Sequence, residues 1–400
     1  MHRHSNHTTT TKMKRDFFTN LPSEITINIL SRLPLGGIAM SKCVCKPWLH
    51  LLATDDFIKS HLAKSTPALA VLTSSSCTVF EFKDHQNLDR HDLHYNPLTK
   101  FDLPHAAEIQ GSANGLLFLS MSAAHYVCNP ITRQYAELHY PREIIRPYPK
   151  VVNYPEILSE SLHSYPHSVT YGFGASRITG QHKVVQIYHD SVIVDGGRRT
   201  IPESECHVHT LGTGTWRRVK PGALLEYSSR SSCVFLNGNL HWVASDSEDR
   251  LWISCFDLET ERFSSFSTPP VHQGSFELIP GLSTLGGRLC LCDHTREVET
   301  VIWVMKEYGV EESWTREYVI NLNEDDLDIE GFELVYPIKV FQDADILMLR
   351  ENRQLFYYST NTGTAKDIGI FDVDSFVTAI LLTPSFLSLK SLGMESVVSF

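Results

Sequence analysis

The side chains best typed for holding a metal are two cysteine pairs, Cys43-x-Cys45 and Cys290-x-Cys292, and one histidine pair, His207-x-His209. A structural zinc site needs four converging ligands, and neither cysteine pair has companions at zinc-site spacing. On a helix, Cys43 and Cys45 point in different directions, so both cysteine pairs are expected to pack as small core residues. On a strand, His207 and His209 face one side together, as metal ligands can, but no third ligand accompanies them. Gly172-Phe173-Gly174 and Gly212-Thr213-Gly214 lack the helix start and lysine that a phosphate loop requires, and read as β-turn glycines. There is no Gly-x-Ser-x-Gly nucleophile elbow. The expectation from these residues is no catalytic set, no metal and no cofactor.

Composition narrows the remaining classes. Four hundred residues, 42% hydrophobic and 20% charged, describe a globular chain long enough for one large domain and a small one. A formal net charge of -11 argues against phosphate-backbone binding, which relies on a basic excess, so no nucleic-acid partner is expected. The best apolar run, Phe376 to Leu382, is strand-sized, well short of the ~18 residues of a spanning helix, so no membrane is expected. Met1 to Arg15 lacks the apolar stretch of a secretory signal. Nine cysteines, an odd number scattered from Cys43 to Cys292, fit a reduced compartment. An intracellular address, cytoplasm or nucleus, is the expectation, and the Asn6-His7-Thr8 sequon carries no weight there.

Two textures divide the elements that would position any site. From Phe17 to Lys64 the apolar spacing is helical, and from Pro67 onward it becomes short β-type runs punctuated by Gly, Asn and Pro. Leu21, Ile25, Ile29 and Leu33, with Leu30 alongside, form one stripe on a helix that Asn20 can cap, with Pro22 in its first turn. Pro34 stops that helix. A second is expected from about Ile38 to Cys45, after a flexible Gly36-Gly37 pair, and a third opens at Pro47 and carries Trp48, Leu51 and Leu52. Asp55 or Asp56 can cap a fourth, holding Phe57, Ile58 and Leu62. Four short helices in ~45 residues bury too little surface to stand comfortably alone, and such a module wants a partner.

The second region reads as at least a dozen short strands, among them Ala68 to Leu72, Cys77 to Phe82, Asn239 to Val243, Leu251 to Asp257, Arg288 to Cys292 and Gln354 to Tyr358. That many antiparallel strands exceed one sandwich, and radial repetition into propeller blades solves the edge-strand problem at this size. A turn followed by a strand recurs at Asn114-Gly115, Asn237-Gly238 and Gly286-Gly287, and a strand followed by a polar turn at Asn129-Pro130, Asp257-Leu258 and Ser359-Thr360. The interval between the last two glycine turns falls near the ~40 to 50 residues of a blade, and six or seven blades would fit. The fold class is therefore α+β multidomain, a small helical module followed by a large all-β propeller-like domain. Its boundaries are a flexible N-terminal tail 1–16, the helical module 17–64, the propeller 65–385 and a C-terminal tail 386–400.

Leu21-Pro22-Ser23-Glu24-Ile25, then Ile29-Leu30-Ser31-Arg32-Leu33-Pro34, Val44-Cys45-Lys46-Pro47-Trp48 and Phe57 together resemble the F-box motif from end to end. The remainder is similar to the F-box-associated domain of the large plant families of F-box proteins, a relative of the kelch propellers. The likeness lies in Gly111 to Leu119 (GSANGLLFL), Asn129 to Pro141, Tyr171 to Tyr188 (YGFGASRITGQHKVVQIY), Val208 to Val219 (VHTLGTGTWRRV), Val234 to Ala244 (VFLNGNLHWVA) and Ile253 to Pro270. Two departures stand out. Gly36-Gly37 replaces more helix-friendly residues, at about 1 kcal/mol per glycine if the helix extends that far, and double glycines of the kelch type occur only at Gly196-Gly197 and Gly286-Gly287.

The resemblance implies a non-catalytic receptor subunit of a Skp-cullin-F-box ubiquitin ligase. Its helical module would dock on a Skp-type adaptor, and through it on a cullin and a ubiquitin-conjugating enzyme, while the propeller holds a target protein for ubiquitination and degradation. The implied adaptor interface is Leu21, Pro22, Ile25, Ile29, Leu30, Leu33, Pro34, Val44, Lys46 and Trp48, of which about half would form the module's own core. Target contacts are expected on loops at one propeller mouth, with Tyr140 to Tyr165, Ser191 to Pro202 and Asn323 to Glu330 as candidates, each of which could equally be an ordinary surface loop. The target itself is unknown. The alternatives are a propeller enzyme with an accessory helical cap, which calls for His, Asp, Glu or Arg in the central channel, and an F-box scaffold or transcriptional cofactor acting outside ubiquitination.

Overall fold

The computed structural model describes residues 21–82, 97–103, 107–121, 124–139, 167–190, 193–195, 198–200, 204–220, 226–227, 233–245, 250–271, 280–296, 299–322, 334–350, 354–368 and 377–400. The chain divides into two compact units, Met1–Ser65 and Thr66–Phe400.

In the first unit, four helices run Ser23–Leu30 (α1), Leu35–Ser41 (α2), Lys46–Leu51 (α3) and Asp55–Leu62 (α4). Each starts behind a residue held extended. Pro22 and Pro34 have φ near -55° and ψ of 145° and 155°, which turns the chain into α1 and α2. Pro22 therefore precedes its helix instead of sitting in the first turn, and the anticipated cap Asn20 lies outside the described residues. Because Pro34 sets the entry, α2 begins before Ile38 and takes Gly36 and Gly37 into its first turn. At α4 the cap is Thr54, whose Oγ1 accepts the Phe57 N–H at 3.3 Å. That leaves Asp55 and Asp56 in the first turn, where carboxylates favour the helix dipole. Leu30, Ile38, Leu52, Phe57 and Ile58 are buried as the small core. Lys64 Nζ donates to Asn28 Oδ1 (3.0 Å), Ser31 Oγ (2.7 Å) and Ser60 Oγ (3.1 Å), tying the end of α1 to the end of α4.

The second unit is a six-bladed propeller of antiparallel sheets. From the inside outward, blade 1 is Thr378–Leu382, Ala68–Leu72, Ser76–Glu81 and Pro97–Asp102, so its inner strand arrives from the far end of the sequence. Residues 378–382 pair with 68–72 in full register and close the ring. Blade 2 is Glu108–Ala113, Leu116–Met121, Ala124–Asn129 and Gln134–Leu138; blade 3 is His167–Ala175, His182–Asp190, Glu205–Thr210 and Trp216–Val219. In blade 4 the inner strand is in two pieces, Glu226–Tyr227 and Val234–Leu236, followed by Asn239–Ser245, Leu251–Asp257 and Phe263–Ser267. Blade 5 is Gly281–Leu285, Arg288–Arg296, Glu299–Met305 and Trp314–Asn321; blade 6 is Val335–Val340, Ile346–Arg350, Gln354–Ser359 and Thr364–Asp367. Sheets stacked between neighbours are covered on both faces, which is why strands such as Ala68–Leu72 and Ile346–Arg350 are buried at every position.

Blade topology sorts the connections. Turns from inner to second strand and from third to outer strand share one end, and the left-handed residues of the blade turns, from Asn114 and Gly115 to Gly363, fall there. Links from second to third strand and from one blade to the next share the other end.

Gly172 and Gly174 are not turn glycines, as Gly212 (φ +83°) and Gly214 (φ +67°) are, but lie inside the inner strand of blade 3. A Cβ on Gly172 would lie 2.7 Å from the Trp242 ring and 2.8 Å from Leu240, and one on Gly174 would lie 2.5 Å from Phe235. Glycine there lets blade 4 close on blade 3. Gly172→Val is expected to destabilise the propeller by about 1–3 kcal/mol, the usual range for overpacking, read as an earlier unfolding transition in guanidinium.

Residues 386–400, set apart in the sequence as a tail, pack against the tight-turn end. Ser385 and Leu389 are fully buried, and Ser385 Oγ donates to Asn114 O at 3.0 Å. Val398–Ser399 pairs with the outer strand of blade 2, and the Phe400 ring stacks 4.2 Å from Phe101 and 4.5 Å from Tyr135.

Candidate functional site

On α1 the apolar residues split between two faces. Thr26 and Leu30 turn inward, whereas Ile25 and Ile29 are 47% and 50% exposed. One helical turn apart, they continue the line begun by the exposed Pro22 and half-buried Leu21. Val44 is 63% exposed, Pro34 and Lys46 are exposed, and Leu33 and Trp48 are half-buried. Of the ten residues of the implied adaptor interface, Leu30 alone is fully in the core. Met40 (70% exposed) and Leu49 (46%) are exposed apolar residues that sequence reasoning missed. For Met40 the signal was its spacing of two from the buried Ile38, which puts it on the opposite side of α2; Leu49, three residues from the buried Leu52, had no such signal. Among the described residues, five of the nine large exposed apolar side chains, Ile25, Ile29, Met40, Val44 and Leu49, belong to this unit, although it is much the smaller. Isolated exposed apolar residues are ordinary, but such a concentration on a small helical unit marks a binding face.

Gly36 has open space around it and sits in α2 with an ordinary helical backbone. Gly36→Ala is expected to stabilise this helix by roughly 0.5–1 kcal/mol, seen as a higher melting temperature of the helical unit and unchanged propeller unfolding.

The three candidate target loops attach at the same place. Tyr140 to Tyr165 and Asn323 to Glu330 lie outside the described residues, as does Ser191 to Pro202 except for the hairpin pairing Ile193–Asp195 with Arg198–Thr200. The strand ends that flank them, Leu138 and His167, Asp190 and Glu205, Asn321 and Val335, all lie at the propeller end opposite the tight turns.

A cavity of about 530 Å³ runs between the inner strands at the propeller axis, and its described lining contains apolar, hydroxyl and amide side chains with no His, Asp, Glu, Lys or Arg. A charged cluster sits between blades 3 and 4 instead. Glu261, on the tight turn of blade 4, accepts from Lys183 Nζ at 2.8 Å and is paired with Arg217, both of blade 3.

The residues typed for metal chemistry lie in different surroundings. Cys290 and Cys292 are fully buried in the packing between blades 5 and 6, and burial raises both thiols. Cys43 departs from the core-packing expectation. It is exposed in the turn between α2 and α3, while Cys45 is the half-buried residue that starts α3, because α2 ends at Ser41. His207 and His209 share a buried side of their strand, and no group of three or more metal-ligating side chains occurs among the described residues. His241 holds blade 4 to blade 5: Nδ1 donates to Val234 O (3.1 Å) and Nε2 accepts from Tyr308 Oη (2.8 Å).

Burial holds His125, His182, His209 and His241 down at about 4. Unfolded, each takes its proton near the usual 6.5. Between those values the unfolded chain binds more protons than the folded one, so stability is complete above about pH 6.5 and is lost as pH falls toward 4. Melting temperatures measured across that interval are expected to drop steeply, and replacing His241 by Gln should flatten part of the slope.

A family model for the F-box domain matches residues 18–60, and one for the F-box associated beta propeller domain matches residues 67–377. The chain is 28% identical over 396 residues to the F-box protein At3g07870 of Arabidopsis thaliana, covering 87% of each. It is 26% identical over 384 residues to F-box protein CPR1 of the same plant, covering 91% of this chain and 88% of that one. To the F-box/kelch-repeat protein At3g23880, also of that plant, it is 25% identical over 362 residues, covering 87% of this chain and 91% of that one.

Proposed function

The chain belongs to the plant F-box proteins that carry an F-box associated beta propeller domain, and on that premise we propose that it is the substrate-recognition subunit of a Skp-cullin-F-box ubiquitin ligase. The observation that carries this reading is the concentration of exposed apolar side chains on the helical unit. Leu21, Pro22, Ile25, Ile29, Leu33, Pro34, Val44 and Trp48, joined by Met40 and Leu49, supply the apolar centre of an interface with a Skp-type adaptor. Lys46 supplies a polar rim. Leu30 supports that face from within the core.

The propeller holds the target at the end where the long inter-blade connections attach, since binding residues sit on loops presented by a rigid scaffold. The subunit contributes no reacting group: it raises the effective concentration of target lysines near a ubiquitin-conjugating enzyme recruited through the cullin. An intracellular site of action follows, because that machinery works there.

The decisive experiment follows the lifetime of proteins captured by the propeller, comparing the native chain with Ile25→Glu, Ile29→Glu. A target that persists longer with the variant supports a degradative receptor. A captured partner whose lifetime is the same with both points to the scaffold or transcriptional-cofactor alternative.

A further inference from the structure

We propose that the central channel of the propeller is a binding site for a small uncharged ligand with an apolar body and two or three hydrogen-bonding oxygens. The cavity, about 530 Å³, lies within the size range of small-molecule sites and is walled by inner strands of blades 1, 2, 4, 5 and 6. Its described lining carries no charge in a chain that is 20% charged. A ligand carboxylate, phosphate or ammonium would leave water with no counter-ion to meet it, which disfavours every charged class.

The polar side chains present are all neutral, and most of them are hydroxyls. Ser112, Thr284 and Thr378 bring hydroxyls from three blades. Thr378 is 8% exposed, and its Oγ1 is buried with no hydrogen-bond partner. A buried hydroxyl left unpaired is unfavourable, and a ligand oxygen would restore the missing bond. Ser283, by contrast, is spent on the wall itself, donating to Pro337 O at 2.8 Å. The inner strands are also sheet edges, so their unpaired backbone N–H and C=O groups face the axis and add neutral donors and acceptors.

The apolar part of the site is pre-set. Tyr336 lies so close to Gly281 that a Cβ there would sit 2.1 Å from its ring. Wedged in this way, the ring is a fixed wall, and Phe235 and Leu282 complete an apolar surface. Rigid aromatic walls with a few neutral polar groups suit a compact amphiphilic molecule, bound without reordering of the site.

Two naphthalene fluorophores test this: the neutral ketone prodan and the sulfonate 8-anilinonaphthalene-1-sulfonate. Both are titrated into the full chain carrying Ile25→Glu and Ile29→Glu, so that the helical unit's apolar face does not compete. The expected result is one saturable prodan site per chain and at least tenfold weaker binding of the sulfonate. Ser112→Phe, which fills the channel, is expected to weaken prodan at least tenfold with unchanged circular dichroism, and Thr284→Phe gives the same test if the first variant does not fold. Thr378→Val is expected to shift bound prodan emission to the blue, because a donor to its carbonyl is gone. Equal affinity for the two probes, prodan binding that ignores both phenylalanine variants, or no saturable prodan site would each overturn the proposal; the last would leave the channel to a polypeptide segment of a partner.

Discussion

Asn129→Ala is expected to destabilise the propeller by about 3–5 kcal/mol and to release the chain after Leu382. Asn129 is fully buried, and both protons and both lone pairs of its side-chain amide are committed. Its Nδ2 donates to Ser385 O at 3.1 Å and Leu387 O at 2.7 Å, while its Oδ1 accepts the N–H groups of Ile131 (2.9 Å) and Thr132 (3.3 Å). Alanine strands two carbonyls and two N–H groups where water has little access, each worth about 1–3 kcal/mol when unpaired. Part is recovered as the segment lifts and solvates, hence the intermediate total. Asn129→Asp keeps the two accepted bonds but turns a carboxylate toward two carbonyl oxygens, and is expected to be at least as harmful. Guanidinium unfolding gives the free energy, and amide exchange of residues 383–400 gives the release. A loss below about 1 kcal/mol would mean that the segment is held elsewhere.

Ile25→Glu with Ile29→Glu is expected to weaken adaptor capture by at least a hundredfold while leaving the melting temperature within about 2 °C. The asymmetry comes from exposure: both side chains are about half exposed in the isolated chain, so a glutamate there can turn its carboxylate to water, removes little folded-state packing and suits a helix. In a docked interface the same positions would be desolvated, and each substitution would exchange a buried apolar anchor, worth about 2 kcal/mol or more at the centre of an interface, for an unpaired charge. Leu30→Ala is the contrasting variant, since it opens a cavity in the unit's own core and should lower stability first. Titration against a purified Skp-type adaptor, with thermal unfolding of each variant, separates the two effects. Undiminished adaptor binding by the double glutamate variant would remove the basis for the proposed interface.

Strand character was legible where both faces of a sheet are covered. Leu251–Asp257 and Arg288–Cys292 are near-continuous apolar runs because each is packed between blades. Outer strands such as Phe263–Ser267 and Thr364–Asp367 are short, polar and half exposed, and carry little periodic signal. The inner strand Glu108–Ala113 contains Gln110 and Gly111 because it borders the channel and abuts Phe173, so it does not read as a strand at all. Ring closure was hidden for a different reason: the pairing of 68–72 with 378–382 joins the two extremities of the propeller's sequence. On the helical unit, spacing placed Ile25, Ile29 and Leu30 in one stripe. A single residue of phase then decides which of them faces the core, and only the packing of α4 against α1 resolves it. The cap at Thr54 was obscured by two adjacent aspartates of equal capping propensity.

The closing strand also has consequences while the protein is being made. The F-box leaves the ribosome before the propeller, and within the propeller Ala68–Leu72 must wait for almost the whole remainder of the domain before its partner is synthesised. Until then it presents five consecutive apolar residues on an unpaired sheet edge. A message truncated between codons 66 and 378 would yield a product with its F-box intact and its propeller permanently open, a sticky chain that, on the proposed function, would compete for adaptor with functional receptors.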